Sequence, residues 1–149
     1  MRNKAVNIER NGIMRILGID FGEARMGLAL SDPTGFLASG IGTVKVTGFE
    51  SAISAAASAA KENSAELIVV GLPVNMDGTE GARAERCRDF AVHLEEASGI
   101  KTVMYDERRT TILAAGFMNE TGTRGKKRKD SIDTLSAQII LQSYLDRNK

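Results

Sequence analysis

At 149 residues the chain has room for one compact domain and too little for two, and a chain this long buries roughly 70% of its extended surface without needing a covalent or metal staple. Its composition, 42% apolar and 26% charged, is ordinary for a globular protein, while the single cysteine, Cys87, excludes an intrachain disulfide framework and no CxxC pair offers a zinc site. The formal net charge of +1 points to no class of partner; no apolar run nears the roughly 20 residues that span a bilayer and no signal-peptide stretch precedes the first apolar run, so a cytoplasmic protein without a membrane partner is expected.

Residues 1–14 are polar and without a period and read as a flexible extension, with Met14 as an alternative start; 15–146 read as one domain and 147–149 as a tail. RILGID at 15–20 has the pattern of a buried strand, MGLALSD from Met26 that of a second, and a third is expected over about 39–46, the three forming an antiparallel meander. The alanine-rich stretch SAISAAASAAKEN places a helix over about 49–63, close against a sheet. ELIVVG at 66–71 is a short apolar strand of the covered, parallel type.

The loop LPVNMDGT follows, and Thr79 is a candidate cap for a helix running to about residue 97, with Cys87, Phe90, Ala91 and Leu94 on its buried stripe. IKTVMY at 100–105 is the fifth strand; a helix capped at Thr110 or Thr111 and running to about residue 119 comes next, then a basic loop, RGKKRK at 124–129, and a last helix over about 131–146. The order βββαβαβαα describes a mixed five-stranded sheet flanked by about four helices, an α/β fold.

Acids stand at three element ends. Asp20 closes the first strand, where an acid is either a turn residue or a group looking into a strand-end pocket; Gly22 and Gly27 beside it permit a sharp bend or a close approach of phosphate. Asp106 and Glu107 follow the fifth strand in YDERRTT. Successive strand residues face opposite ways, so one of the two shares the pocket of Asp20 and the other anchors a loop or pairs with Arg108 or Arg109; spacing alone does not choose. Asp130 and Asp133, three residues apart, sit near one side of the last helix start, where the structural alternative makes them an N-cap and an N3 acid.

A convergent set of these carboxylates would suit a hard cation such as Mg²⁺, leaving positions for phosphate and water, and two ions about 4 Å apart could orient an attacking water and stabilise a leaving oxygen. His93 reads as a solvated side chain, Cys87 as a small buried hydrophobe, and neither a Walker A sequence nor a GxGxxG fingerprint is present. GLPVNMDGTEG is a candidate substrate loop, and the run RGKKRK, five of its six residues cationic, is either a phosphate contact or a solvated loop.

Taken in order, GIDFGEARMGLALSD, VVGLPVNMDGTEGARAERCRDFA, DERRTT and DSIDTLSAQIILQSYL resemble the YqgF family of bacterial RNase H-like proteins, described as pre-16S ribosomal RNA nucleases and formerly as Holliday junction resolvases. The resemblance spans 15–146 and implies an RNase H-like fold. It places the family's strand-one aspartate at Asp20, its DER glutamate at Glu107 and its last-helix aspartate at Asp133, as catalytic ligands of Mg²⁺ or Mn²⁺, two ions with substrate, and leaves Asp106 and Asp130 as neighbours. Arg25 and the stretch from Asn75 through Arg83 would then approach nucleic acid. Arg86 and the basic residues Arg124, Lys126, Lys127, Arg128 and Lys129 are further candidate phosphate contacts, Arg86 having a surface salt bridge as its alternative. Leu135-Ser136 departs from the small alanine pair common at that place.

The implied activity is metal-dependent phosphodiester hydrolysis in 5′-end maturation of pre-16S rRNA, with that RNA or a pre-ribosomal particle as partner. Alternatives are a DNA junction resolvase, which would use the same acids in a two-fold homodimer, and a non-catalytic RNA-binding assembly factor. GIDFG and GLALSD also suggest an ATP-binding relative, but 149 residues leave little room for a second lobe.

Overall fold

The computed structural model describes residues 14–110 and 125–148. Its elements run β1 (Ile16–Asp20), β2 (Arg25–Ser31), β3 (Ala38–Lys45), α1 (Phe49–Glu62), β4 (Leu67–Leu72), α2 (Ala82–Ser98), β5 (Thr102–Asp106), a single 3-10 turn (Glu107–Arg109) and α3 (Gly125–Arg147). The strands form one sheet in the order β3-β2-β1-β4-β5. β1, β2 and β3 make the expected antiparallel meander, and β4 joins β1, then β5 joins β4, in parallel. Consequently the C-terminal ends of β1, β4 and β5 lie at one edge of the sheet, where open parallel sheets place their ligands.

Strand alternation divides the core into two layers. Leu17 and Ile19 of β1, Ile68 and Val70 of β4 and Met104 of β5 face α1 and α2, where Phe21 stacks on Phe90 with ring centroids 4.3 Å apart and Phe49 meets both edge-on. On the opposite face Ile16, Ala29, Leu67, Val69 and Tyr105 pack against Ala137, Ile140, Leu141 and Leu145 of α3. The exposed β3 edge is tied to that helix by glutamines: Gln138 donates to the Ala38 carbonyl at 3.0 Å, and the Gln142 side chain accepts from the Ala38 amide at 2.9 Å.

α3 approaches the sheet so closely that two strands need glycine beneath it. A Cβ at Gly27 would collide with the Asp133 carbonyl oxygen, and one at Gly18 would stand 2.7 Å from the Leu141 Cβ. Gly27 therefore serves helix packing, a different use from the bend or phosphate approach expected of it.

Three expectations are corrected. α3 begins at Gly125, six residues ahead of the expected start at 131, because the straight-chain cations of the basic run are good helix formers; 125–129 is helix and not a loop, and Asp130 and Asp133 lie inside the helix and are neither N-cap nor N3. α2 begins at Ala82 with Gly81 at its N-cap, since Thr79 spends its hydroxyl and amide within the preceding loop. Thr110 caps no helix among the described residues: its amide and hydroxyl bond the Glu107 carbonyl at 3.2 and 2.9 Å, closing the 3-10 turn. The helix expected over 111–119 lies outside the described residues, among which there are three α-helices. No helix among them is long and apolar enough to cross a membrane.

Candidate functional site

The parallel strand ends bring Asp20 and Glu107 to one cleft. In β1 the residues Ile16, Gly18 and Asp20 share the face toward α3, and Asp20, at the strand's end, emerges at the sheet edge. In β5 Val103 and Tyr105 take that same face, so alternation turns Asp106 to the other and brings Glu107, one residue past the strand, back toward Asp20. The question left open by spacing is thus answered: Glu107 shares the cleft. Asp106 instead holds Arg108 through Arg108 Nη2 at 2.8 Å and the Arg108 amide at 2.9 Å, which keeps its carboxyl below the usual carboxylate range.

A cleft of about 310 Å³ is lined by Asp20, Arg83, Glu107, Thr110, Ser136, Ile139 and Ile140. Gly71 makes room for it, since a Cβ there would stand 2.6 Å from both Glu107 Oε2 and Ile140 Cδ1. Burial pushes the Asp20 carboxyl up to about 7; Glu107 adds to the rise, the Arg83 guanidinium opposes it, and Asp133 contributes on the same side as Glu107. Glu107 is also raised, mainly by burial, with Arg83 again opposing. These are two acids held where ionising both is unfavourable, with one cation from the first turn of α2 as partial compensation.

Asp133 flanks a second hollow of about 240 Å³, which Asp20 and Arg83 also line together with residues 21–25. Its Oδ2 accepts a hydrogen bond from Arg25 Nε at 2.7 Å, in an ion pair that is partly exposed on both sides. A hydroxyl contact between Thr43 and Thr134, 2.7 Å, fixes the adjoining turn of α3 against β3. No three His, Cys, Asp or Glu side chains among the described residues gather closely enough to hold one ion. The chemistry of Asp20 and Glu107 nonetheless fits a hard cation: both offer carboxylate oxygens, and both carry charge that burial makes unfavourable without a counter-ion.

The remaining candidates are distributed around this edge. Arg25 meets Asp133, and Arg83 borders both hollows. Arg86 takes its salt-bridge alternative, bonding Glu23 at 2.7 Å with its guanidinium 4.6 Å from the centre of the Phe49 ring. Asn75 braces its own loop, its amide group donating to the Thr79 hydroxyl at 2.9 Å. Lys126, Lys127, Arg128 and Lys129 belong to the first turns of α3, Asp130 follows them in that helix, and Arg124 lies outside the described residues. His93 is exposed, its Nδ1 2.8 Å from the Asp89 carbonyl oxygen, and burial pushes the Cys87 thiol up to about 11, so neither is a nucleophile or base here. Sequence reasoning passed over Gly71, which the strand pattern of VVGLP marks; it offered the pairing with Arg108 that Asp106 makes, but not the reach of Arg108 to the carbonyls of Asn75 and Met76.

An acidic cleft at the strand ends of a five-stranded sheet, β1 to β3 antiparallel and β4 and β5 parallel to β1, defines an RNase H-like protein. Solved structures share that fold. "T. thermophilus RuvC in complex with Holliday junction substrate" matches with a TM-score of 0.58 over 91% of this chain and 97% of that one, at 14% identity. The fowlpox virus Holliday junction resolvase matches with a TM-score of 0.55 over 91% of this chain and 100% of that one, at 12% identity. Residues 14–147 match the family model described as RuvX: Holliday junction resolvase, and the chain belongs to this YqgF (RuvX) family. Among its relatives, proteins named "Putative pre-16S rRNA nuclease" are 42% identical in Ruminiclostridium cellulolyticum, over 90% of this chain and 95% of that protein, and 40% identical in Myxococcus xanthus, over 91% and 90%.

Proposed function

We propose that this protein is a divalent-metal-dependent nuclease that hydrolyses phosphodiester bonds in the 5′-end maturation of pre-16S rRNA in the cytoplasm. The observation that carries the reading is the pairing of Asp20 with Glu107, two half-buried carboxyls of raised affinity for protons, in one cleft beside Arg83. The name shared by relatives about 40% identical along nearly their whole length supplies the substrate.

Asp20 and Glu107 would hold Mg²⁺ or Mn²⁺, with Asp133 as a third ligand once it parts from Arg25. A cation bound there supplies Lewis acidity and a water of lowered pKa. Arg83, between the two hollows, places the scissile phosphate, and Arg25 is drawn to the same phosphate. Arg86 and the cations at the start of α3, Lys126 to Lys129, track the flanking backbone. The cleft offers no histidine, so proton removal from water falls to the acids or to solvent.

The family model's description favours a second reading, resolution of DNA junctions by a homodimer. Cleavage of end-labelled RNA carrying the immature 16S 5′ junction, with Mg²⁺ or Mn²⁺ and with Asp20→Asn as control, decides between them. Metal-dependent shortening by wild type alone supports the proposal. Cleavage confined to a four-way DNA junction supports the resolvase, and RNA binding without product under either metal supports a non-catalytic assembly role.

A further inference from the structure

The loop between β4 and α2 carries a methionine that the acidic cleft does not use. Met76 is 88% exposed, the highest value among the large apolar side chains described as exposed. Its loop is tightly braced. Val74 and Glu80 form a β-bridge, the Asn75 amide donates to the Thr79 carbonyl at 2.9 Å, and the Gly78 amide to the Asn75 carbonyl at 2.8 Å. Asp77 accepts from the Thr79 amide at 2.9 Å and from its hydroxyl at 2.6 Å. From outside the loop, Arg108 Nη1 reaches the carbonyls of Asn75 and Met76, both at 3.4 Å, while its Nε and Nη2 grip Asp106. A side chain displayed from such a frame cannot be hidden by local collapse of the loop.

Its position is equally specific. The loop leaves β4 at the sheet edge where β1 ends in Asp20 and β5 in Asp106, and Arg108, which touches the Met76 carbonyl, is the neighbour of Glu107. Phe36, Leu37 and Ile41 are the other end's exposed apolar residues, on and before the opposite edge strand, β3, and Val92 is on α2. Among the described residues Met76 therefore stands as a single exposed apolar projection at this end of the sheet, of a size to cover one flat ring.

We propose that Met76 is a nucleobase contact, its thioether packing on the face of one unstacked base of the RNA strand whose phosphate enters the Asp20–Glu107 cleft. Thioethers are soft, adaptable and attracted to aromatic rings, and methionine is among the apolar side chains that wedge between bases. Single-stranded RNA is recognised through such splayed bases. The inference rests on the nuclease reading and deepens it by naming how the substrate strand is gripped beside the cut.

The test is equilibrium binding of the full chain to single-stranded RNAs bearing 2-aminopurine at successive positions, in EDTA and again in Ca²⁺. Wild type should perturb the fluorescence at one position. Met76→Ala should abolish that perturbation and weaken binding between about 2- and 10-fold, the range of a sulfur–aromatic contact, with an unchanged salt dependence because no phosphate contact is lost. Met76→Leu should restore most of both. Equal affinity and an identical fluorescence profile for wild type and Met76→Ala would overturn this inference alone. Absence of RNA binding by well-folded wild type in both solutions would overturn the nuclease reading and this inference with it.

Discussion

Arg25 Nε donates a hydrogen bond to Asp133 Oδ2 at 2.7 Å, joining the start of β2 to α3 across 108 residues of chain. The pair stands beside Asp20 in the hollow they line together, and it engages one carboxylate oxygen of the last of the proposed ligands. Arg25→Ala should therefore act in opposite directions on two quantities. Divalent-metal affinity, read by calorimetry or by metal-dependent thermal shift, should rise several-fold as Asp133 is released, while KM for RNA rises because a phosphate contact is gone. Stability without metal should fall by about 0.5–1 kcal/mol, as for a partly exposed pair. A fall in metal affinity would assign Arg25 the role of orienting Asp133 toward the ion.

Asp20 makes the metal-free fold pH-sensitive. Its carboxyl rises from 3.8 to about 7 on folding, so the native state binds this proton more tightly than the unfolded chain does. Its contribution is neutral below about pH 4, where both states are protonated, and becomes increasingly unfavourable as pH rises toward 7, remaining so above. In EDTA the wild-type Tm should drop between pH 5 and pH 8. Asp20→Asn should largely flatten that dependence, gain on the order of 1–3 kcal/mol at pH 8, and lose metal-dependent cleavage by at least about 100-fold. An unaltered pH profile in the variant would place the sensitivity elsewhere.

Gly71→Ala tests how the cleft is shaped. The added methyl would meet Glu107 Oε2 and Ile140 Cδ1, each 2.6 Å away, so either the carboxylate shifts or α3 lifts. We expect a loss of about 1–3 kcal/mol in denaturant unfolding and a kcat reduced by more than tenfold at little-changed KM. A stability loss with kcat intact would show that the helix yields and the carboxylate keeps its place.

The two adjacent acids after β5 should separate cleanly. Glu107→Gln removes a carboxylate from the cleft and should abolish metal-supported cleavage with the fold retained, as judged by circular dichroism. Asp106→Asn loosens Arg108 and with it the loop carrying Met76, and should cost about 1 kcal/mol or less of stability while raising KM for RNA more than it lowers kcat. Equal losses of kcat in both variants would contradict the division of roles that strand alternation imposes.

Much of this was legible locally. Short apolar runs marked β1, β2, β4 and β5 within a residue or two and β3 was placed as closely between them and α1, while the alanine-rich α1 and the apolar stripe of α2 were plain, because apolar patterning reports what each element buries. The start of α3 was misplaced because a run of cations looks the same in a loop and in a helix. Ordered motifs also identified the family and nominated Asp20, Glu107 and Asp133. Residue spacing did not choose between Asp106 and Glu107, whereas the tertiary structure turns Glu107 into the cleft, as the motifs implied, through the parallel register of β5 on β4 and of β4 on β1. Tertiary structure alone paired Asp133 with Arg25 and set Gly27 and Gly71 beneath their neighbours, because contacts between residues many positions apart follow from how layers stack, a quantity that no local pattern encodes.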